Sequence, residues 1–293
     1  MYKRQALGRL EAAFRSKSRE FDGILKAGRT HLQDAVPVRL GQELGAYATA
    51  LGKAAKAIEG AADACRELGI GGSATGTGLN THPEYATRTV AYLAEFTGEE
   101  LRPAPDRFEA MQSQGPVVAL SGALRLLAVE LIRIANDLRL LSSGPTTGLA
   151  EIRLPAVQPG SSIMPGKVNP SIPEMVDMVG FAVLGNDLTV ATAAQAGQLE
   201  LNVMMPVIAY KLLDSLRILT SACRVFAERC VEGIEADAPR CRAYAARTMG
   251  LATALNPYIG YLAAAEVAKE ALASGRTIRE VVLEKGLLGA EEL

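Results

Sequence analysis

The chain has 293 residues, 49% of them apolar and 22% charged, with 31 Lys plus Arg against 32 Asp plus Glu. It is long enough to bury a large core and too apolar for disorder. The balanced charge leaves no basic footprint for nucleic acid and no polybasic segment for a membrane, so the expected partner is a small molecule. In chain order, residues 6–26 read as helix interior with no capping residue ahead of them, and the first few residues read as foreign to the protein. A proline-free stretch rich in Ala, Leu and Glu predicts a helix over 41–68. A further helix is expected over 83–96, opened by Pro83 and closed at Thr97-Gly98. Residues 117–141 and 174–194 are apolar on nearly every face, which predicts two helices surrounded by others. Residues 206–231 show the same heavy burial pattern, and 278–285 is helix-like just before the chain stops, so both ends read as cut.

Several long helices with almost no strand signal predict an all-α protein, an elongated bundle of long helices. After Gly233 the helices become shorter and more polar. The expected division is therefore a central bundle over 1–233 and a small, incomplete C-terminal helical domain over 234–293. The long apolar run over 117–141 is interrupted by Arg125, Glu130, Arg133, Asp137 and Arg139, so no segment is expected to span a membrane. Cys65, Cys223, Cys230 and Cys241 form no C-x-x-C pair, and His31 and His82 have no second ligand at metal spacing. No structural metal is expected, and a reduced cytoplasmic setting fits these cysteines.

Three polar, glycine-bearing stretches separate the helices: 28–41, 69–81 and 142–173. The last is longer than a compact domain normally tolerates without function. It contains Gly160-Ser161-Ser162-Ile163-Met164-Pro165-Gly166-Lys167-Val168-Asn169-Pro170. Gly160 and Gly166 permit a flexible loop, with two adjacent hydroxyls inside it and a lysine near its end. Asn169-Pro170 reads as an N-cap followed by proline in the first turn of the helix that contains Glu174. The positive end of that helix favours an anion nearby. Gly71-Gly72-Ser73-Ala74-Thr75-Gly76-Thr77-Gly78 could pass for a phosphate cradle, but it lacks the P-loop ending and follows no predicted strand. It is taken as a structural turn, and His82 beyond it as structural.

The run from Gly160 to Pro170 resembles, residue for residue, the mobile loop of the fumarase/aspartase superfamily. The resemblance extends from about Phe21 to the end of the chain. It implies the long-helix bundle of that superfamily, and it implies site residues. Ser161 matches the general base, supported by Gly160, Ser162 and Met164. Lys167 and Asn169 match contacts to the substrate carboxylates. Gly28-Arg29-Thr30-His31-Leu32-Gln33-Asp34 is similar to the family's second motif, where Thr30 and His31 would bind a carboxylate. Glu174 matches the glutamate that pairs with this histidine, a pairing that would fix its tautomer.

Within the superfamily, the residues flanking the loop favour the aspartases. Gly148-Leu149-Ala150-Glu151-Ile152-Arg153-Leu154-Pro155 and Gln198-Leu199-Glu200-Leu201-Asn202-Val203 look like aspartase, where fumarases usually show an acidic stretch and a histidine. Met205 and Thr146-Thr147 depart from the usual aspartase residues at their positions. The resemblance implies removal of a proton from C3 of L-aspartate, a doubly charged aci-carboxylate, and loss of ammonia to give fumarate, with no metal or organic cofactor. It also implies a homotetramer whose active sites are shared between subunits. Family members are longer, and their first third adds further site residues, so this chain alone is expected to show little activity. The alternatives are fumarate hydratase and a catalytically silent helical assembly module.

Overall fold

The structure, a computed structural model, describes residues 2–158, 160 and 163–292. Five long helices dominate it: α1 (Tyr2–Glu20), α2 (Leu40–Ala64), and after α3 (Tyr85–Thr97) and α4 (Arg107–Gln112), α5 (Gly115–Leu141), α6 (Ser171–Gln195) and α7 (Met205–Arg229). At about 1.5 Å per residue the longest of them runs about 40 Å. They close into a ring, α1 on α2, α2 on α5, α5 on α6, α6 on α7 and α7 back on α1. The ring follows from apolar residues at three- and four-residue spacing. On α5, Leu124, Leu127, Leu131, Ile134, Leu138 and Leu141 form one buried row. At the centre Phe14 of α1 lies edge-on to Tyr47 of α2 at 5.8 Å and to Phe226 of α7 at 6.0 Å.

Polar ties fix how α5, α6 and α7 sit against one another. Asp187 accepts from Ser121 Oγ at 2.6 Å and from Arg125 at 2.8 Å, Asp177 accepts from Arg139 at 2.8 Å, and Asn186 donates to Asp214 and Ser215. Gly180 lets α5 and α6 touch, since a Cβ there would stand 2.5 Å from Ile132 Cγ1. By length and composition α6 is also apolar enough to cross a membrane. Its buried row includes Asp177, Asn186 and Asp187, which are hydrogen-bonded to neighbouring helices as in a bundle core.

Four expectations change. The first helix ends at Glu20 rather than Lys26, because residues 25–30 pair instead as β1 (Leu25–Thr30) with β2 (Gln33–Arg39) in an antiparallel hairpin. The stretch 28–41 is thus mostly that hairpin and not a loop. The predicted helix over 41–68 stops at Ala64, and its tail forms β3 (Glu67–Leu68), parallel to β4 (Arg102–Pro103). Finally, α5 and α6 are not covered on every side: Met178, Phe181 and Leu188 on α6 and Leu126, Val129 and Leu140 on α5 are exposed.

Beyond α7, a short turn leads to β6 (Glu235–Ala236), which pairs antiparallel with β5 (Ile152–Arg153). Then come α8 (Ala238–Arg247), α9 (Leu251–Ala254), α10 (Asn256–Ile259), α11 (Tyr261–Ser274) and α12 (Ile278–Glu284). The helix α8 packs on β1. A second apolar cluster gathers Leu255, Val267, Ile278, Val281 and Val282 from the last helices. All four cysteines are free, and burial pushes the Cys223 and Cys230 thiols up to about 12.

Candidate active site

The hairpin carries the first set of candidates. Its tip is a two-residue loop, His31-Leu32, between paired Thr30 and Gln33. Both loop residues have positive φ, 53° and 59°. That is the backbone of the tight hairpin turn usually built from Asn and Gly. For residues with larger side chains the left-handed region costs about 1–2 kcal/mol each, and such strain persists only where the surroundings enforce it. Thr30, His31 and Leu32 are all exposed, so the strain presents these side chains outward.

The base of the hairpin is held rigidly. The ladder shifts register between Ala27 and Arg29, where Ala35 and Val36 of β2 bulge opposite the single Gly28. A Cβ at Gly28 would meet the Val36 carbonyl oxygen at 2.5 Å, which is why glycine is needed here. Replacing Gly28 with valine should therefore cost about 1–3 kcal/mol, read as a lower urea midpoint, whereas Gly23→Val at an open turn should cost less. On the other strand Thr248 Oγ1 donates to the Ala35 carbonyl at 2.9 Å.

Beneath the hairpin lies a buried charge cluster. Lys26, 1% exposed, is 2.8 Å from Glu43 of α2 and 3.2 Å from Glu151, which is 0% exposed. Arg29 donates to both Glu151 oxygens at 3.0 Å and stacks over Tyr244 of α8 at 5.5 Å. Burial pushes the Glu43 carboxyl above its usual range, with Lys26 pulling the other way. Glu151 and Arg29 entered the sequence reading only as parts of motifs, and Lys26 and Glu43 did not enter it. The available signal was a lysine set among Ile24, Leu25 and Ala27.

The second set lies on the stretch between β5 and α6. Ser161 and Ser162 lie outside the described residues. Gly160 sits directly against the Lys167 carbonyl, so the loop returns on itself and only glycine fits there. Met164 and Lys167 are joined by a turn in which the Lys167 amide donates to the Met164 carbonyl at 3.2 Å. Pro165 and Gly166, the latter at φ 82°, occupy its corners as a type II turn requires. Lys167 is exposed, while Asn169 and Glu174 are half-buried. Asn169 is not the helix cap. Pro170 holds that position with no side-chain cap, and the Asn169 carbonyl accepts from Ser171 N at 2.8 Å. Gln158 Nε2 donates to Ser171 Oγ at 2.6 Å, tying the loop's entry to the start of α6.

Among the described residues, no side-chain hydrogen bond or ion pair joins Thr30 or His31 to Lys167, Asn169 or Glu174. The glycine-rich stretch at 71–78 turns inward: the amides of Gly76 and Gly78 both donate to the Gly72 carbonyl. His82 accepts the Glu84 amide at 3.2 Å, a local contact. Among the described residues, no three His, Cys, Asp or Glu side chains gather as a metal ion would require.

A family model described as lyase matches residues 3–185, and one described as fumarase C C-terminus matches 251–293. The chain is 52% identical over 284 residues to the aspartate ammonia-lyase of Pseudomonas fluorescens, covering 97% of this chain and 59% of that one. It is 50% identical over 288 residues to that of Escherichia coli (strain K12), covering 98% and 60%. The chain thus spans about 60% of the length of these curated relatives. Among solved structures, the fumarate lyase:delta crystallin from Brucella melitensis superposes with a TM-score of 0.96 at 53% identity, covering 99% of this chain and 63% of that one. Recombinant class II fumarase from Schistosoma mansoni superposes with a TM-score of 0.93 at 37% identity, covering 99% and 64%. The matched lyase model runs from α1 into α6 and takes in Lys26, Arg29, Glu43, Glu151 and the loop, and the chain belongs to the lyase family.

Proposed function

We propose that this chain carries two parts of an active site that eliminates ammonia from L-aspartate to give fumarate. The observation that supports the reaction class best is the exposed Thr30-His31 pair at a hairpin tip whose turn residues, His31 and Leu32, are both left-handed. The choice of substrate rests on the aspartate ammonia-lyases, about half identical along nearly the whole chain.

In this reading Ser161 takes the proton from C3 of aspartate. The electron pair moves into the adjacent carboxylate, giving an aci-carboxylate with two negative charges. Its collapse forms the C2–C3 double bond and breaks the C2–N bond, so the ammonium group leaves as ammonia. A C–H beside a carboxylate is weakly acidic, so stabilising the dianion is the main task. Lys167, Asn169, Thr30 and His31 are the proposed donors, each worth about 3 kcal/mol when well placed. Ser161 needs similar stabilisation to act as a base, with Gly160, Ser162 and Met164 supporting the loop. None of these steps draws on a cofactor.

Among the described residues no side-chain hydrogen bond or ion pair joins the hairpin to the loop, which supports a site formed between subunits, with Glu174 pairing to His31 of another copy. The exposed apolar stripe at 178, 181 and 188 of α6 supports such association, in keeping with a homotetramer. The free cysteines, three of them buried, suit a reduced cytoplasmic setting. The division at residue 233 belongs to the same reading and is supported by the separate apolar cluster of the last helices. The test is fumarate formation from L-aspartate, with L-malate in parallel, by this chain alone and joined to the portion of the Pseudomonas relative that it does not span. Turnover is expected in the joined protein and little in the chain alone. Fumarate from malate instead would favour the hydratase reading, which the fumarase likeness keeps in view.

A further inference from the structure

Lys26 and Arg29 are three residues apart on β1. In a regular strand that odd spacing sends two side chains to opposite faces. The ladder is irregular here, with Ala35 and Val36 of β2 facing the single Gly28 of β1, and both cations reach one carboxylate, Glu151. Glu151 is itself fixed. Its amide donates to the Leu141 carbonyl at the end of α5 at 2.9 Å, and its carbonyl accepts from Asp237 N at 2.9 Å and from Cys241 Sγ at 3.5 Å. Its side chain therefore projects from a backbone tied to α5 and to the start of α8. Arg29 is gripped on a second side by the Tyr244 ring, and His31 follows two residues later.

We propose that Glu151 is a positioning residue, holding Arg29 and Lys26 so that the hairpin keeps His31 and Leu32 in their strained turn and Thr30 and His31 exposed. A two-stranded hairpin is marginal by itself, and two left-handed residues at its tip would relax if its base could shift. Glu151 supplies the fixed point. Its consequence for catalysis rests on the reaction proposed above; its effect on the tip does not.

The chain has only two histidines, His31 and His82, which makes the tip directly observable. With isotope-labelled histidine, the ring signals are assigned through His82→Gln. In Glu151→Gln, which keeps the shape and removes the charge, the His31 signal should move or split and the amides of residues 30–33 should exchange at least about tenfold faster. The His82 signal should stay in place. Glu151→Asp, which keeps the charge, should restore part of the wild-type spectrum. If Glu151→Gln does not fold, Arg29→Lys decides, since it keeps a charge but loses the planar guanidinium that lies over the Tyr244 ring, and it should move His31 alone. A folded Glu151→Gln or Arg29→Lys with an unchanged His31 signal and unchanged tip exchange overturns the proposal. In the joined protein, kcat/KM for aspartate should fall about 100-fold in Glu151→Gln, as for a misplaced catalytic geometry. A wild-type joined protein inactive on aspartate would sink the proposed reaction, and the histidine spectra would still decide the positioning role.

Discussion

Replacing Ser161 with alanine in the joined protein should cut fumarate formation from L-aspartate about a thousand-fold, with the melting temperature unchanged. A positioned general base contributes about 10²–10⁴ in rate, and here the proton is held so tightly that no bound water could replace the alkoxide. The described residues beside it show how the loop frames this position. Gly160 closes against the Lys167 carbonyl, and the turn from Met164 to Lys167 brings the lysine back toward the loop's start. Lys167 is exposed, so its substitution should stay within about 0.5 kcal/mol of wild type. Lys167→Met should cost about 10²-fold through loss of one charged donor. A Ser161→Ala protein that keeps more than a tenth of the rate would remove Ser161 from the role of base.

Glu151→Ala is expected to destabilise the chain by about 3 kcal/mol, measured as a lower urea midpoint. Removing one partner from a buried ion pair leaves the other charge without compensation, a loss of about 3–5 kcal/mol. Here two cations are stranded, Lys26 at 1% and Arg29 at 16% side-chain exposure. The lower end applies because Lys26 retains Glu43 at 2.8 Å. The pair of Arg88 with Glu84 provides the control: both side chains are more than half exposed, and Glu84→Ala should change stability by less than about 1 kcal/mol. A Glu151→Ala loss no larger than that of the control would mean that the cluster adds nothing to holding the hairpin.

The long helices were legible because their apolar residues recur at helical spacing and their ends carry readable signals. Gly98 closes α3 in the left-handed conformation, and Pro116 lies in the first turn of α5. The hairpin was not legible. Lys26, Gly28, Arg29 and Pro37 break the alternation that marks a strand, the bulge shifts its phase, and a His-Leu turn lacks the Asn or Gly that signals a tight hairpin. The charge cluster was hidden for another reason. Arg29 and Glu151 are 122 residues apart, and nothing local to either announces the other. Asn169 had the right residue type for a cap, yet its carbonyl and not its side chain meets the first helical amide. The loop containing Ser161 and Lys167 was legible as a motif, and its turn at Pro165-Gly166 follows from those two residue types. The outer apolar faces of α5 and α6 were read as buried in a surrounding bundle. Within a single chain they stand open, which is what association with further copies would close.

The most direct test of the proposed reaction is the appearance of fumarate from L-aspartate and from L-malate in parallel, in the joined protein and its Ser161→Ala variant. Fumarate from aspartate alone, lost in the variant, is the predicted result. Fumarate from malate alone, or from aspartate at an equal rate in the variant, would contradict it.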